Sequence, residues 1–471
     1  MAEMHYWSVA ETAEHLRRGD VTVYELVEAQ IERISAVNPK INAITTLVEE
    51  ALDVARALDT QGRPDNAGPL WGVPVTTKIN VDQEGYPNSN GVGAMADAIA
   101  NSDSPVVSNL KNAGAVIIAR TNTPEFSMRW FTSNPIHGVT HNPWDESLTP
   151  GGSSGAAAAS VACGIGTVAH GNDLGGSLRY PAYCCGVTTI RPSLGRVPAM
   201  NPTQSAAGIE RGPLTQLMSA QGPIARSIAD VRAGLMVMAQ PDIRDPLWVP
   251  GFDDTTDNSR TLTVGYAYNP FDGALDPAVE KAMLFAIEAL QASGANLVEV
   301  APPFAAELPD LWGTLLFTEA EAQARDVIAS KGTNDMWRYY QDFASRFHSA
   351  DVRGLLGAMQ RRIVCQRAWA EMFTKVDALL LPTSLQKPFR NDQDFKEPET
   401  LGDIVAAQSP LFAVNVLGLP SVAIPTHLDG QTPLGVQLIG PMGYDALVLN
   451  VAERLEREIG TFWQIMAKNF P

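Results

Sequence analysis

Apolar side chains recur at helical spacing near the start of the chain, at Leu16 and then at Val23, Leu26, Val27, Ile31 and Ile34. That spacing lays one apolar stripe along a helix. Thr22, with Glu25 three residues on, reads as an N-cap with its capping-box partner, and Pro39 is expected to end the region. A further helix is expected over about residues 46–58, then a Gly/Pro/Asp-rich loop over 60–69. The period then changes. Val73 to Ile79, led in by Gly72, is strand-like, and residues 114–119 form a short apolar run typical of a buried strand. Gly155 to Ala162 predicts a helix of small side chains that can lie close to a sheet. Later strands are expected at Thr261–Tyr266, Asn296–Val300, Ala378–Leu381, Ser421–Ile424 and Leu434–Ile439. Residues 199–222, broken by Gly and Pro, read as a loop or lid, and 301–400 as mainly helical and rich in aromatics.

The alternation of helix and strand predicts an α/β architecture. No repeat, low-complexity tract or flexible linker interrupts it, so residues 1–471 are expected to form one domain. Residues 1–65 would be its N-terminal helical part, and about 301–400 a helical insertion.

Composition narrows the function. With 45% hydrophobic and 18% charged residues, the chain has ample material for a core. A net charge of −18 gives a surface that phosphate backbones repel, so no nucleic-acid partner is expected. The four cysteines, Cys163, Cys184, Cys185 and Cys365, lack zinc or disulfide spacing and read as free buried thiols. The N-terminal residues lack a signal peptide's apolar core, and no apolar run reaches the ~18 residues of a membrane span. A cytoplasmic, reducing location is the expectation.

Two serines stand in glycine-rich settings, Gly151-Gly-Ser153-Ser-Gly155 and Asn172-Asp-Leu-Gly-Gly-Ser177. Glycines let backbone N–H groups converge, as a tetrahedral oxyanion requires. A serine needs a base to become a nucleophile. None of the seven histidines is evidently paired with an aspartate, and His170 reads as a packed or hydrogen-bonded strand residue. Lys78, at the end of an apolar strand, offers another route, because desolvation favours the neutral amine.

Taken in order, Gly72-Val-Pro-Val-Thr-Thr-Lys78, Ala119-Arg-Thr-Asn-Thr-Pro-Glu125, His141-Asn-Pro-Trp144, Gly151-Gly-Ser-Ser-Gly155 and Asp173-Leu-Gly-Gly-Ser177-Leu-Arg resemble the amidase signature family. The resemblance continues through Gly222-Pro-Ile-Ala-Arg-Ser227, Asp377-Ala-Leu-Leu-Leu-Pro-Thr383 and Pro433-Leu-Gly-Val-Gln-Leu-Ile-Gly440, and is weakest over 240–370. It implies an α/β/α sandwich, a large, mixed, mainly parallel sheet covered by helices on both faces. It implies a triad of Lys78 as base, Ser153 in a cis peptide as relay, and Ser177 as nucleophile. The backbone N–H groups of Leu174, Gly175, Gly176 and Ser177 would form the oxyanion hole. Ser154, Asp173 and Arg179 would support the loops. The implied reaction is C–N hydrolysis through an acyl-enzyme, with no metal or organic cofactor.

Two departures stand out. Ile79 replaces an acidic residue often found after the lysine, and the Gly-Gly-Ser-Ser-Gly run continues into Ala156-Ala157. Both leave the triad intact. Ser127, Met128 and Trp130, with Phe131, are candidates to line the acyl pocket; Trp312, Phe317, Trp337, Tyr339, Tyr340 and Trp369 are a second aromatic group. The expected substrate is a small apolar or aryl amide, with carbamate (urethane) or ester cleavage open to the same chemistry. The expected assembly is a monomer or homodimer.

Two other readings remain. Gly151-Gly-Ser153-Ser-Gly155 also fits the G-x-S-x-G nucleophile elbow, which would place the acyl group on Ser153 instead of Ser177. The family also includes the amidase-like components of amidotransferase complexes, which pass ammonia to a partner.

Overall fold

A computed structural model describes residues 4–206, 208–249 and 260–470. Its strands are β1 (Ile44–Leu47), β2 (Pro74–Lys78), β3 (Val116–Thr121), β4 (Ser133–Asn134), β5 (Gly138–Val139), β6 (Val168–Asp173), β7 (Thr188–Arg191), β8 (Ala220–Ala225), β9 (Thr263–Tyr266), β10 (Asn296–Glu299), β11 (Ala378–Pro382), β12 (Ser421–Asp429) and β13 (Thr432–Ile439). Apart from the small β4–β5 pair, they join one eleven-stranded sheet in the order β1-β3-β2-β6-β8-β7-β12-β13-β11-β9-β10. All residues of β2, β3, β7, β8 and β11 are buried. A strand without in-out alternation is covered on both faces. Helices supply the cover: Arg179–Cys185, Pro277–Ala292 and Asp445–Ile459 all pack on β12 and β13.

The sheet is mixed, but it is not mainly parallel. Parallel pairing is confined to β3-β2-β6 and β11-β9-β10. The six other pairings, including every one from β6 across to β11, are antiparallel. One of the six is a direct return. β12 and β13 form a hairpin through Gly430-Gln431, with Gly430 at φ 66°, so no crossover helix is needed.

Local chemistry accounts for the other differences from the sequence reading. The expected helix over 46–58 is divided: Ile44-Thr-Thr-Leu47 is an edge strand on β3, and the helix runs Ala51–Gln61. Consecutive β-branched residues favour the strand. The Val23–Ile41 helix carries Pro39 within its last turn and ends at Asn42. Asn38 secures this exit, its Oδ1 accepting from the Ala43 and Ile44 N–H groups, both at 2.8 Å. Residues 199–222 contain short helices, Pro202–Ala206 and Pro213–Met218, and the start of β8.

β2 and β6 are parallel neighbours inside the sheet, so Lys78 and Asp173 both lie at the carboxyl ends of adjacent strands. Carboxyl ends of parallel strands are where α/β sheets bind ligands.

The N-terminal helix pair is fixed by caps of the expected kind. Thr22 Oγ1 accepts from Glu25 N at 3.1 Å, and Glu25 Oε2 accepts from Thr22 N at 2.8 Å. Thr22→Ala is expected to lower stability by about 1 kcal/mol, read as a lower urea midpoint at unchanged slope.

Candidate active site

Lys78 is fully buried at the end of β2. Its Nζ lies 2.8 Å from Ser153 Oγ, 3.1 Å from Ser154 Oγ and 2.9 Å from Asn172 Oδ1. Burial pulls its pKa well below the ordinary lysine value; the Asp173 charge opposes this only in part. Ser153 and Ser154 immediately precede the Gly155–Ala162 helix, and the Gly152–Ser153 peptide is cis. The small side chains of that helix are all buried.

Ser177 is presented by the loop after β6. It lines, together with Ser153, a cavity of about 430 Å³, within the usual range for small-ligand pockets. Among the described residues its hydroxyl has no hydrogen-bond partner, so Lys78 meets Ser153 while Ser177 stands free in the same cavity.

Asp173 shapes this loop. Its carboxylate accepts from Gly176 N at 2.9 Å, Leu178 N at 3.1 Å, Arg179 Nε at 3.1 Å and Asn415 Nδ2 at 2.8 Å. Burial opposes ionisation, but Arg179, Arg191 and Asn415 outweigh it and hold the carboxyl well below the usual range. Two indoles grip the loop from outside: Trp312 Nε1 donates to Leu174 O and Trp130 Nε1 to Gly175 O, both at 2.9 Å. Gly176 sits at φ 94°, and a Cβ there would come within 2.3 Å of Leu411. The N–H groups of Leu174, Gly175 and Ser177 are left without partners among the described residues, whereas that of Gly176 belongs to Asp173.

Ser127 and Met128 also line the cavity, with Trp130, Trp312 and Phe343 as aromatic wall. Ser127 does more than line it: its Oγ accepts from Asn80 Nδ2 at 3.0 Å and donates to Asn90 Oδ1 at 2.6 Å. Phe131 instead packs against Phe389, outside the cavity lining. Of the second aromatic group only Trp312 reaches the cavity, stacked on Phe412 at 4.1 Å. Arg129 anchors the neighbouring segment through buried pairs with Asp394 and Asp392 at 2.6 and 2.8 Å.

His170 takes no place beside the serines. Its ring bonds Gln221 Oε1 at 2.7 Å, and burial lowers its pKa to about 4, leaving it neutral. Ser153 is reached from a loop rather than a strand, unlike a nucleophile elbow. The four cysteines are free and buried. Among the described residues no single helix is long and apolar enough to cross a membrane, and no group of three or more His, Cys, Asp or Glu side chains is placed to hold a metal.

No sequence pattern singles out Asn80, Asn172 and Asn415, although Asn80 lies two residues after Lys78 and Asn172 directly before Asp173.

The amidase family model matches residues 25–449. The chain belongs to the amidase signature family. This amidase is 42% identical over 467 residues to an indoleacetamide hydrolase of Bradyrhizobium diazoefficiens, covering 98% of this chain and 88% of the relative. It is 32% identical to a component of the glutamyl-tRNA(Gln) amidotransferase of Chloroflexus aurantiacus, covering 97% of each. A bacterial aryl acylamidase of the same family superposes with a TM-score of 0.85 at 25% identity, covering 99% of this chain and 98% of that one. The amidase is therefore a hydrolase of the carbon–nitrogen class.

Asp173→Asn would leave Arg179 and Arg191 buried without their counter-charge. It is expected to cost about 3–5 kcal/mol in chemical denaturation. The native pKa of Asp173 is depressed, so its contribution is present above the ordinary carboxylate range. It is lost as pH falls through that range into strong acid.

Proposed function

We propose that this amidase hydrolyses a primary arylacetamide of the indole-3-acetamide type to the acid and ammonia. The observation that carries the reading is the 42% identity, across 98% of this chain, with an indoleacetamide hydrolase. A cavity walled by Trp130, Trp312 and Phe343 suits a flat aromatic ring.

Ser177 acts as nucleophile, Ser153 as relay and Lys78 as base. Lys78, held neutral by burial, takes the Ser153 proton while Ser153 takes that of Ser177. Rotation of the free Ser177 hydroxyl toward Ser153 closes the relay when substrate arrives. Attack on the amide carbon gives an oxyanion that the Leu174, Gly175 and Ser177 N–H groups receive. The proton returns through Ser153 to the leaving nitrogen, which departs as ammonia. Water then attacks the acyl-enzyme by the same relay, releasing the acid and restoring Ser177. The same steps extend to carbamates and esters. Four buried free thiols support a reducing, cytoplasmic setting.

A second reading rests on the 32% identity with the amidotransferase component. In that case the isolated chain would favour glutamine, and a partner would raise its rate. The first reading predicts kcat/KM for indole-3-acetamide roughly 10- to 100-fold above that for acetamide, the gain of burying an aromatic ring, and little glutaminase activity. A glutamine preference would reverse the assignment.

The rate should also rise from acid pH through the lowered Lys78 pKa, because protonated Lys78 cannot accept a proton, and level off below the ordinary lysine range. A flat profile with chemistry rate-limiting would remove Lys78 from the base role. A fluorophosphonate probe is expected to label Ser177, and Ser177→Ala to lose about 10⁴-fold or more in kcat. Label on Ser153 would favour the elbow reading.

A further inference from the structure

We infer that Asn172 is a positioning residue that aims the lone pair of Lys78 at Ser153. The inference rests on the reading of Lys78 as a neutral base. A neutral amine has two N–H bonds and one lone pair, and proton transfer requires the lone pair to face the donor. Three oxygens surround Nζ: Ser153 Oγ, Ser154 Oγ and Asn172 Oδ1. An amide oxygen can only accept, so Asn172 takes one N–H. Ser154 directs its hydroxyl proton at the backbone carbonyl of Asn172, 3.3 Å away, and so offers Lys78 an acceptor for the second. The remaining direction on Nζ is the lone pair, and it faces Ser153 at 2.8 Å.

The arrangement depends on which way the Asn172 amide is turned, because its NH₂ in place of its oxygen would draw the lone pair away from Ser153. A chain of side chains decides this. Asn172 Nδ2 donates to Asn80 Oδ1 at 3.0 Å, and Asn80 Nδ2 returns a bond to Asn172 Oδ1 at 3.2 Å. Asn80 is oriented in turn because its Nδ2 also donates to Ser127 Oγ, whose own proton goes to Asn90 Oδ1. Ser127 Oγ also lies 2.9 Å from Thr123 Oγ1, and Asn90 and Ser127 are both in left-handed backbone at φ 48° and 56°. An amide oxygen gives this hold without the full negative charge that would favour the ammonium form. With Ile79 following the lysine, Asp173 is the acid that acts on Lys78, and its oxygens are taken by Arg179, Asn415 and backbone N–H groups.

The test is steady-state kinetics of Asn172→Leu, Asn80→Leu, their double variant and Asn172→Asp on indole-3-acetamide across pH, with Lys78→Ala as control and circular dichroism to check folding. Each Leu variant is expected to lower kcat about 10- to 100-fold with KM nearly unchanged. The double variant should be no slower than Asn172→Leu, since both changes break one chain. The isosteric Asn172→Asp places a carboxylate on Lys78, favours the ammonium, and should shift the acid limb of the kcat profile upward by about one pH unit or more. Additive losses, a raised KM at unchanged kcat, or an Asn172→Asp loss equal at every pH would overturn the positioning role. Should Asn172→Leu fail to fold, Asn172→Asp and Asn80→Leu decide alone. Wild-type activity in Lys78→Ala would overturn the base assignment itself. A silent Lys78→Ala with wild-type Asn variants would overturn only the positioning.

Discussion

The Asp173 carboxylate, shut away from water at the end of β6, has the loop after the strand wound around it. It holds the Gly176 and Leu178 N–H groups, the Arg179 guanidinium and the Asn415 amide. A buried charge demands this many donors, because desolvation is costly unless each lone pair is satisfied. Meeting that demand winds the chain around the carboxylate and leaves the Leu174, Gly175 and Ser177 N–H groups outside its set of partners. The course of the backbone that carries Ser177 is thus set partly by a permanent charge. Of the N–H groups in this Gly-rich turn, that of Gly176 goes to Asp173.

The same carboxylate shapes the electrostatics of Lys78. Its charge reaches the lysine through space, but its oxygens are occupied by Arg179 and its companions. Lys78 is held by hydroxyls and an amide instead, groups that orient an amine with no net charge of their own. Burial therefore dominates its protonation. A basic side chain, an acid and a hydroxyl cluster lie within one small volume and keep separate functions, because each has its own set of partners.

Much of this is legible in the sequence, and the reasons differ by element. Lys78, Ser153 and Ser177 stand in compact motifs of unusual composition, and the small-residue helix Gly155–Ala162 has the predicted bounds. β8 is hidden, and β6 shows only as the strand setting of His170, because Val-Ala-His-Gly-Asn-Asp and Ala-Gln-Gly-Pro-Ile-Ala lack the apolar density that marks a buried strand. Their polar groups are satisfied by neighbours distant in sequence: His170 by Gln221, Asp173 by Asn415. Asn80 and Asn172 have the composition of turns, and their pairing across 92 residues leaves no local trace. Trp312 is one of six aromatics that the sequence alone does not tell apart; the fold distinguishes it by setting its N–H on Leu174 O.

That last contact ties two properties of the enzyme together. Trp312 belongs to the Leu308–Gln323 helix and forms cavity wall and loop brace at once. Reshaping the wall at this position for a bulkier guest would also remove the donor that holds the Leu174 carbonyl. The shape of the cavity and the course of the loop that carries Ser177 therefore meet in one side chain, and a smaller residue at this position would need a new donor for the Leu174 carbonyl.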